Sequence, residues 1–126
     1  MILVDTSIWI DHLRDRSAHL VNLLAADVVV QHQLVLLELG LGNLRNRDRF
    51  IGLLQALPSL PTLSPAEAMR LVKTRHLWGR GLSAIDLHLL GSVLITPGAQ
   101  LWTKDKALAR AGEELKCLHR PALTQN

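Results

Sequence analysis

The chain has 126 residues, a formal net charge of +3 and a hydrophobic fraction of 48%. This length suits one domain with a single core, and this composition is typical of a compact folded domain and not of a chain that is disordered as a whole. No apolar run reaches the roughly 18 residues that a membrane span needs, and the N-terminus lacks a signal-peptide pattern, so we expect a cytoplasmic protein. Cys117 is the only cysteine, which excludes an intramolecular disulfide.

The first half of the chain alternates between short β-branched runs and longer stretches of helical period. "ILVD" and "VVVQ" are typical of buried strands, because they are apolar without alternation. The segments that follow them place apolar residues three and four positions apart, as amphipathic helices do. In chain order we predict a strand, two helices, a strand and two helices, at residues 2–5, 6–15, 17–26, 28–31, 33–42 and 47–57.

The second half has the same alternation, with clearer signals for where helices begin. "SPAE" combines a serine cap, a proline at the first helical position and a glutamate three residues after the serine, which is a capping box. "SAID" repeats that box with an aspartate. We predict a strand, two helices, a strand, a helix and a last strand, at residues 60–63, 64–78, 83–96, 99–103, 104–115 and 117–119.

These elements together indicate an α/β fold. Strands that alternate with helices and are apolar on both faces are typical of a parallel sheet covered by helices. We therefore predict a three-layer α/β/α sandwich with a four- or five-stranded, mainly parallel sheet. It forms a single domain spanning residues 1–126, and the last few residues are expected to form a flexible tail.

Four of the eleven acidic residues lie at positions where solvent-exposed charges are not expected. Asp5 ends the first strand and Asp105 follows the strand "LWT", while Glu38 and Asp86 lie inside apolar helical segments. Capping explains Asp5, Asp86 and Asp105 as well as a functional role does, because each stands where a helix begins. Glu38 is in mid-helix, where an unpaired buried carboxylate costs several kcal/mol, so it needs a partner. An ion pair with a distant arginine is the structural alternative for Glu38.

The positions of the four acids predict a metal site. Ligands of open parallel sheets bind beyond the carboxyl ends of the strands, where Asp5 and Asp105 both emerge. If Glu38 and Asp86 approach from neighbouring helices, four carboxylates meet and need a cation to neutralise them. Oxygen ligands without cysteine or histidine favour Mg²⁺ or Mn²⁺ over zinc, and we assign the six histidines to the surface or to packing. Such a cluster is suited to hydrolysis at phosphorus by metal-activated water.

Hydroxyl groups stand next to these acids in the sequence. Thr6, Ser7 and Thr103 are predicted to orient the carboxylates from a second layer around the metal. A local hydrogen bond between hydroxyl and backbone at a helix start is the alternative.

Several arginines are candidates for contact with a polyanion backbone. They include Arg45 and Arg47, which follow the Glu38 helix, and Arg80, which precedes Asp86. A solvated surface charge is the simpler explanation for each of them.

Aromatic residues are scarce, at 3% of the chain, and tyrosine is absent. A base-stacking surface for single-stranded nucleic acid is therefore not expected, and any bound nucleic acid would be held by its backbone. We assign the three tryptophans, Trp9, Trp78 and Trp102, to the core or to a protein interface.

The chain resembles a known nuclease family at the segments that carry the acids. "ILVDTSIWIDHLR", "VLLELGLGNLR", "GLSAIDLHLLGSVLI" and "QLWTKDKALARAGEEL" are similar, in this order, to the motifs of PIN-domain ribonucleases, and most of all to VapC-type toxins of bacterial toxin–antitoxin pairs. That family places metal-binding acids at the end of the first strand, in the third helix, at the start of a later helix and after the fourth strand. The matching positions here are Asp5, Glu38, Asp86 and Asp105.

This resemblance, which covers nearly the whole chain, carries expectations about activity and partners. It implies a Mg²⁺- or Mn²⁺-dependent endoribonuclease whose four acids are both catalytic and metal-binding. It further implies RNA as the substrate, a homodimer, and a cognate VapB-type antitoxin that blocks the site. Four carboxylates can hold one metal ion or two.

Three other functions stay open on the residues alone. A nuclease of this type could instead serve housekeeping RNA processing or structure-specific DNA cleavage. The carboxylates could also be only caps and ion pairs in a non-catalytic binding module. A phosphatase with Asp5 as nucleophile is disfavoured, because haloacid-dehalogenase-like phosphatases need a second aspartate two residues later, where this chain has Ser7.

Overall fold

A computed structural model describes residues 1–122, and three short parallel strands form its centre. β1 (Ile2–Val4) lies between β2 (Val29–Val30) and β3 (Gln100–Trp102), with Leu3 opposite Val30. Successive side chains of a strand point to opposite faces, and all three in β1 are buried, so both faces of the sheet are covered. The predicted α/β/α layering around a parallel sheet is confirmed.

The strand count, however, differs from the prediction of four or five. Within residues 1–122 the segments 60–63 and 117–119 form no strands, and the sheet is extended at each edge by one isolated parallel bridge. The two bridges join Gln31 to Ser59 and Leu101 to Leu118. Pro58 and Pro61 flank the first bridge, and proline has no N–H group with which to continue a ladder. Five chain segments therefore lie in sheet positions, but only three are long enough to be strands.

Seven helices surround this sheet in the described part of the chain, in agreement with the prediction. They are α1 (Thr6–Arg14), α2 (Ala18–Ala25), α3 (Gln33–Leu41), α4 (Arg47–Gln55), α5 (Pro65–Arg75), α6 (Ala84–Leu94) and α7 (Lys106–Glu114). Both predicted capping boxes are present, at Ser64 and at Ser83. No helix among residues 1–122 is both long and apolar enough to cross a membrane. The predicted C-terminal tail includes residues 123–126, which lie outside the described residues.

The tryptophans occupy two kinds of environment. Trp9 and Trp102 are buried, as predicted, whereas Trp78 is 61% exposed. Trp78 follows α5 in the loop that leads to α6, beside Gly79, whose positive φ of 70° turns the chain. Of the two predicted environments, the core is excluded for Trp78, because α5 ends at Arg75, and a protein interface stays a prediction.

Candidate active site

Asp5 lies at the carboxyl edge of the sheet, between the central strand β1 and helix α1. The residue is only 6% exposed. Oδ1 accepts a hydrogen bond from the Thr6 N–H (2.7 Å), which makes Asp5 the N-cap of α1. Oδ2 accepts from Thr103 Oγ1 (2.6 Å) and Ser7 Oγ (3.3 Å). Capping therefore uses one oxygen, while the other is held by hydroxyl groups from two different elements.

Burial of this carboxylate has an electrostatic cost. The pKa of Asp5 is raised above its usual value, chiefly because burial removes water from the charged form. Hydrogen bonds from Thr103, Thr6 and Ser7 lower the pKa without cancelling that effect, and the negative charge of Asp86 raises it further. Asp86 is thus near enough for its charge to act on Asp5. Two neighbouring carboxylates, one of them buried, form a place where a cation is favourable.

Two threonines connect Asp5 to two of the other acids. Thr6 Oγ1 donates to Glu38 Oε1 (2.7 Å), while its own N–H donates to Asp5. Thr103 Oγ1 donates to Asp5 and also accepts a hydrogen bond from the Asp105 N–H (3.1 Å). A continuous chain of hydrogen bonds therefore runs across the end of the sheet, through Glu38, Thr6, Asp5, Thr103 and Asp105.

Asp86 and Asp105 each use one carboxylate oxygen as a helix cap. Asp86 Oδ2 accepts from the Ser83 N–H (3.0 Å) in the capping box of α6. Asp105 Oδ1 accepts from the Leu108 N–H (2.8 Å) at the start of α7. Among residues 1–122 no hydrogen bond engages Asp86 Oδ1 or Asp105 Oδ2. Capping therefore leaves one oxygen of each acid for a further ligand.

The carboxylates are gathered at one edge without touching. In the part of the chain that the structure describes, no three His, Cys, Asp or Glu side chains come close enough together to hold one metal ion. Thr6 joins two of the carboxylates, with its N–H on Asp5 and its hydroxyl on Glu38, whereas Thr103 joins the Asp5 carboxylate to the backbone N–H of Asp105. Convergence of all four acids on one ion stays a prediction.

Glu38 has a different partner from the one that the sequence suggests. Thr6 supplies a hydroxyl, and no ion pair with arginine or lysine involves Glu38 within residues 1–122. Glu38 is half-buried rather than fully buried, because α3 turns Val35 and Leu39 into the core and leaves Glu38 at the boundary with solvent. A hydroxyl donor is sufficient for a carboxylate in this position.

Two of the three arginine candidates are engaged with the protein. Arg47 Nε donates to the Gly40 carbonyl oxygen (2.9 Å) near the end of α3. Arg80 pairs with Glu114 of α7, with an N–O distance of 2.7 Å. Arg45 is exposed in the loop before α4 and lines a cleft against α1, so its guanidinium is accessible.

Sequence reasoning missed a buried polar pair, His32 and Ser92. Both residues are 0% exposed, and His32 Nε2 lies 2.9 Å from Ser92 Oγ. The signal that could have found the pair is Ser92 itself, a hydroxyl inside the apolar run "LLGSVLI". A polar group predicted to be buried needs a partner, and His32 follows a buried strand.

Comparison with known proteins assigns the family. The PIN domain family model matches residues 2–114, a range that contains all four acids and their hydroxyl partners. The curated relatives include Ribonuclease VapC32 from two strains of Mycobacterium tuberculosis. Each is 52% identical to this chain over 114 residues, which is 90% of this chain and 92% of the relative. The chain therefore belongs to the PIN-domain family, and the VapC-type resemblance of its motifs is confirmed.

Proposed function

We propose that this protein is a Mg²⁺- or Mn²⁺-dependent endoribonuclease, the toxin of a toxin–antitoxin pair. It cleaves RNA phosphodiester bonds in the cytoplasm, acts as a homodimer, and is inhibited by a cognate VapB-type antitoxin. The observation that carries the proposal is the hydrogen-bonded chain from Glu38 through Asp5 to Asp105, in a protein 52% identical to a ribonuclease.

The four acidic residues singled out above suit a hard divalent cation. Asp5, Glu38, Asp86 and Asp105 would hold the ion, and all of them offer oxygen, which Mg²⁺ and Mn²⁺ prefer. A cation there would offset both the burial of Asp5 and the charge of Asp86, which together raise the pKa of Asp5. The bound ion supplies activation of the attacking water and stabilisation of the leaving oxygen.

The surrounding side chains prepare the acids for this role. Thr103 and Ser7 donate to the Asp5 carboxylate, and such hydrogen bonds favour its charged form. Thr6 keeps Glu38 beside Asp5. Arg45 is accessible for the RNA backbone, whereas Arg80 would first have to leave Glu114.

The substitution Asp5→Asn tests the proposal, because the amide keeps the shape of the side chain and removes its charge. We expect the wild-type protein to cleave RNA only when Mg²⁺ or Mn²⁺ is present, and Asp5→Asn to lose cleavage by about 100-fold or more. Asp15→Asn is the matched control, since Asp15 is exposed at the end of α1. Full cleavage by a folded Asp5→Asn variant, measured on labelled RNA, would exclude the proposed site.

Two further readouts separate this function from the alternatives. Thermal stabilisation by Mn²⁺ is expected for a metal site and not for a binding module whose carboxylates are only caps. Growth arrest on expression, relieved by a small protein encoded beside this chain, is expected for a toxin and not for an RNA-processing nuclease.

A further inference from the structure

A buried hydrogen bond ties α3 to α6, the two helices that carry Glu38 and Asp86. Its partners, His32 Nε2 and Ser92 Oγ, lie 2.9 Å apart and belong to residues that are 0% exposed. His32 Nδ1 accepts a hydrogen bond from the Leu34 N–H (3.0 Å) and so caps α3. Because Nδ1 is the acceptor, the neutral ring carries its proton on Nε2 and donates it to Ser92.

Apolar packing alone does not define the rotation of α3. Its aliphatic residues point to all sides: Val35 and Leu39 are buried, while Leu37 and Leu41 are 53% and 79% exposed. A helix that is apolar all round buries a similar area after a rotation about its axis. Hydrogen bonds are directional, so the polar contacts of α3 select one rotation.

Two hydrogen bonds made by side chains of α3 and its N-cap join this helix to α1 and α6. One is the hydrogen bond from Thr6 to Glu38, and the other is the bond from His32 to Ser92. His32 precedes Glu38 by six residues and Ser92 follows Asp86 by six residues, each a separation of about 9 Å along a helix. A slip of α3 on α6 at His32 therefore moves Glu38 relative to Asp86.

We propose that His32 and Ser92 are positioning residues of the metal site. Their buried hydrogen bond fixes the rotation of α3 against α6 and thereby the separation of Glu38 and Asp86. This inference rests on the proposed function, which makes those two acids metal ligands. His32 and Ser92 themselves act through the helices and touch neither the cation nor the RNA.

Three variants separate this role from general stability. Ser92→Ala removes the connection between the helices and keeps the His32 cap. His32→Asn retains a residue that caps helices well, yet its side chain is too short to reach Ser92. Thr96→Val is the matched control, because it removes a hydrogen bond to the Ser92 carbonyl oxygen (2.7 Å) just after the end of α6 and leaves the connection between the helices intact.

The test measures Mn²⁺ binding by titration calorimetry, together with the melting temperature and the Mn²⁺ concentration for half-maximal RNA cleavage. We expect Ser92→Ala and His32→Asn each to weaken Mn²⁺ binding by about tenfold. Thr96→Val should melt earlier than the wild type and bind Mn²⁺ equally well.

The opposite pattern overturns the inference. If Ser92→Ala and His32→Asn lower the melting temperature but bind Mn²⁺ as tightly as the wild type, the pair is only structural. Either variant suffices for this decision if the other fails to fold. Absence of Mn²⁺ binding in the wild-type protein would instead overturn the proposed metal site, and the positioning role with it.

Discussion

Thr103 joins the Asp5 carboxylate to the backbone of Asp105 through one hydroxyl group. It is buried at the end of β3, donates to Asp5 and accepts from the Asp105 N–H. Among the contacts that lower the pKa of Asp5, its hydrogen bond has the largest effect, and it opposes the rise caused by burial. Thr103 therefore keeps Asp5 ionised at a lower pH than burial alone would allow.

Thr103→Val keeps the shape of the side chain and removes that hydroxyl. We expect the pKa of Asp5 to rise and the acid limb of the profile of kcat/KM against pH to move to higher pH. At a pH on that limb, activity falls by about tenfold for each unit of added pKa. Thr74→Val is the control, because Thr74 Oγ1 donates only within the exposed surface of α5. An acid limb that stays in place would contradict the role of Thr103.

His32 makes the stability of the fold depend on pH. Its pKa is lowered from 6.5 to about 4, chiefly by burial and secondarily by the charge of His88. The unfolded chain binds more protons between these two pH values, so the free energy of unfolding falls as the pH falls through that window. The shift corresponds to a loss on the order of 3 kcal/mol.

Urea unfolding at a series of pH values measures this effect, with His32→Asn as the comparison. We expect the variant to lose less stability than the wild type between pH 6.5 and 4. His12 and His119 also have lowered pKa values. Because the wild type and the variant both contain these two histidines, the difference between their plots of stability against pH is due to His32. Parallel curves would contradict the expectation.

The acids and the hydroxyl residues beside them in the sequence could be singled out from the sequence, but which hydroxyl meets which acid could not. Glu38 is conspicuous because a charge interrupts an apolar run, which is a local property of the chain. Thr103 meets Asp5 across 98 residues, and only the pairing of β1 with β3 brings them together. The same holds for His32 and Ser92, which are 60 residues apart.

Helix α6 packs so closely against its neighbours that Gly91 has no room for a side chain. A Cβ atom at Gly91 would clash with Leu63 Cδ1 and lie 3.3 Å from Leu71 Cδ2. Gly52 in α4 is the opposite case, since a Cβ atom there meets nothing within 4 Å. The glycine of α6 is therefore tightly packed, whereas the glycine of α4 faces open space.

The substitution of alanine at these two glycines should therefore have opposite effects. Gly91→Ala is expected to lower the free energy of unfolding by about 1–3 kcal/mol, because the core is overpacked. Gly52→Ala is expected to raise it by about 0.4–1 kcal/mol, because alanine reduces the entropy of the unfolded chain and favours helix. Urea unfolding of both variants measures these changes. A change of the free energy of unfolding in the same direction for both variants would contradict the prediction.

Helices were predictable here and edge strands were not, for a physical reason. A helix is signalled by residues close together in the chain, such as Ser64 with Glu67 or Ser83 with Asp86. A strand needs a partner from elsewhere in the chain. Segment 60–63 is apolar enough for a strand, yet the sheet pairs only with Ser59 before it, and the prolines around that bridge limit its length.

At the scale of the molecule, the central strand β1 is the best-anchored part of the sheet. β1 pairs on both sides, and its ends are secured by hydrogen bonds from the Ile2 N–H to Val28 O (2.7 Å) and from the Asp5 N–H to Trp102 O (2.9 Å). The outer edge of β3 is joined to the C-terminal segment by a single bridge at Leu118. Opening this edge breaks far fewer contacts than opening the centre.

Amide hydrogen exchange should therefore distinguish centre from edge. We expect the amides of β1 to exchange only through global unfolding, with protection that matches the free energy of unfolding. The His119 amide, which donates to Leu101 O (2.7 Å), should exchange faster through local opening. Equal protection at β1 and at residues 117–119 would show that the sheet opens as a single unit.

The exposed tryptophan makes the intrinsic fluorescence of the protein sensitive to one cleft. Trp9 and Trp102 are shielded from water, so only Trp78 of the three indoles is in free contact with solvent. Trp78 also lines a cleft that extends to Ser83, the capping partner of Asp86. A molecule that enters this cleft changes the emission of one indole and leaves the other two as an internal reference. The chain thus contains an unlabelled fluorescent reporter beside its candidate active site.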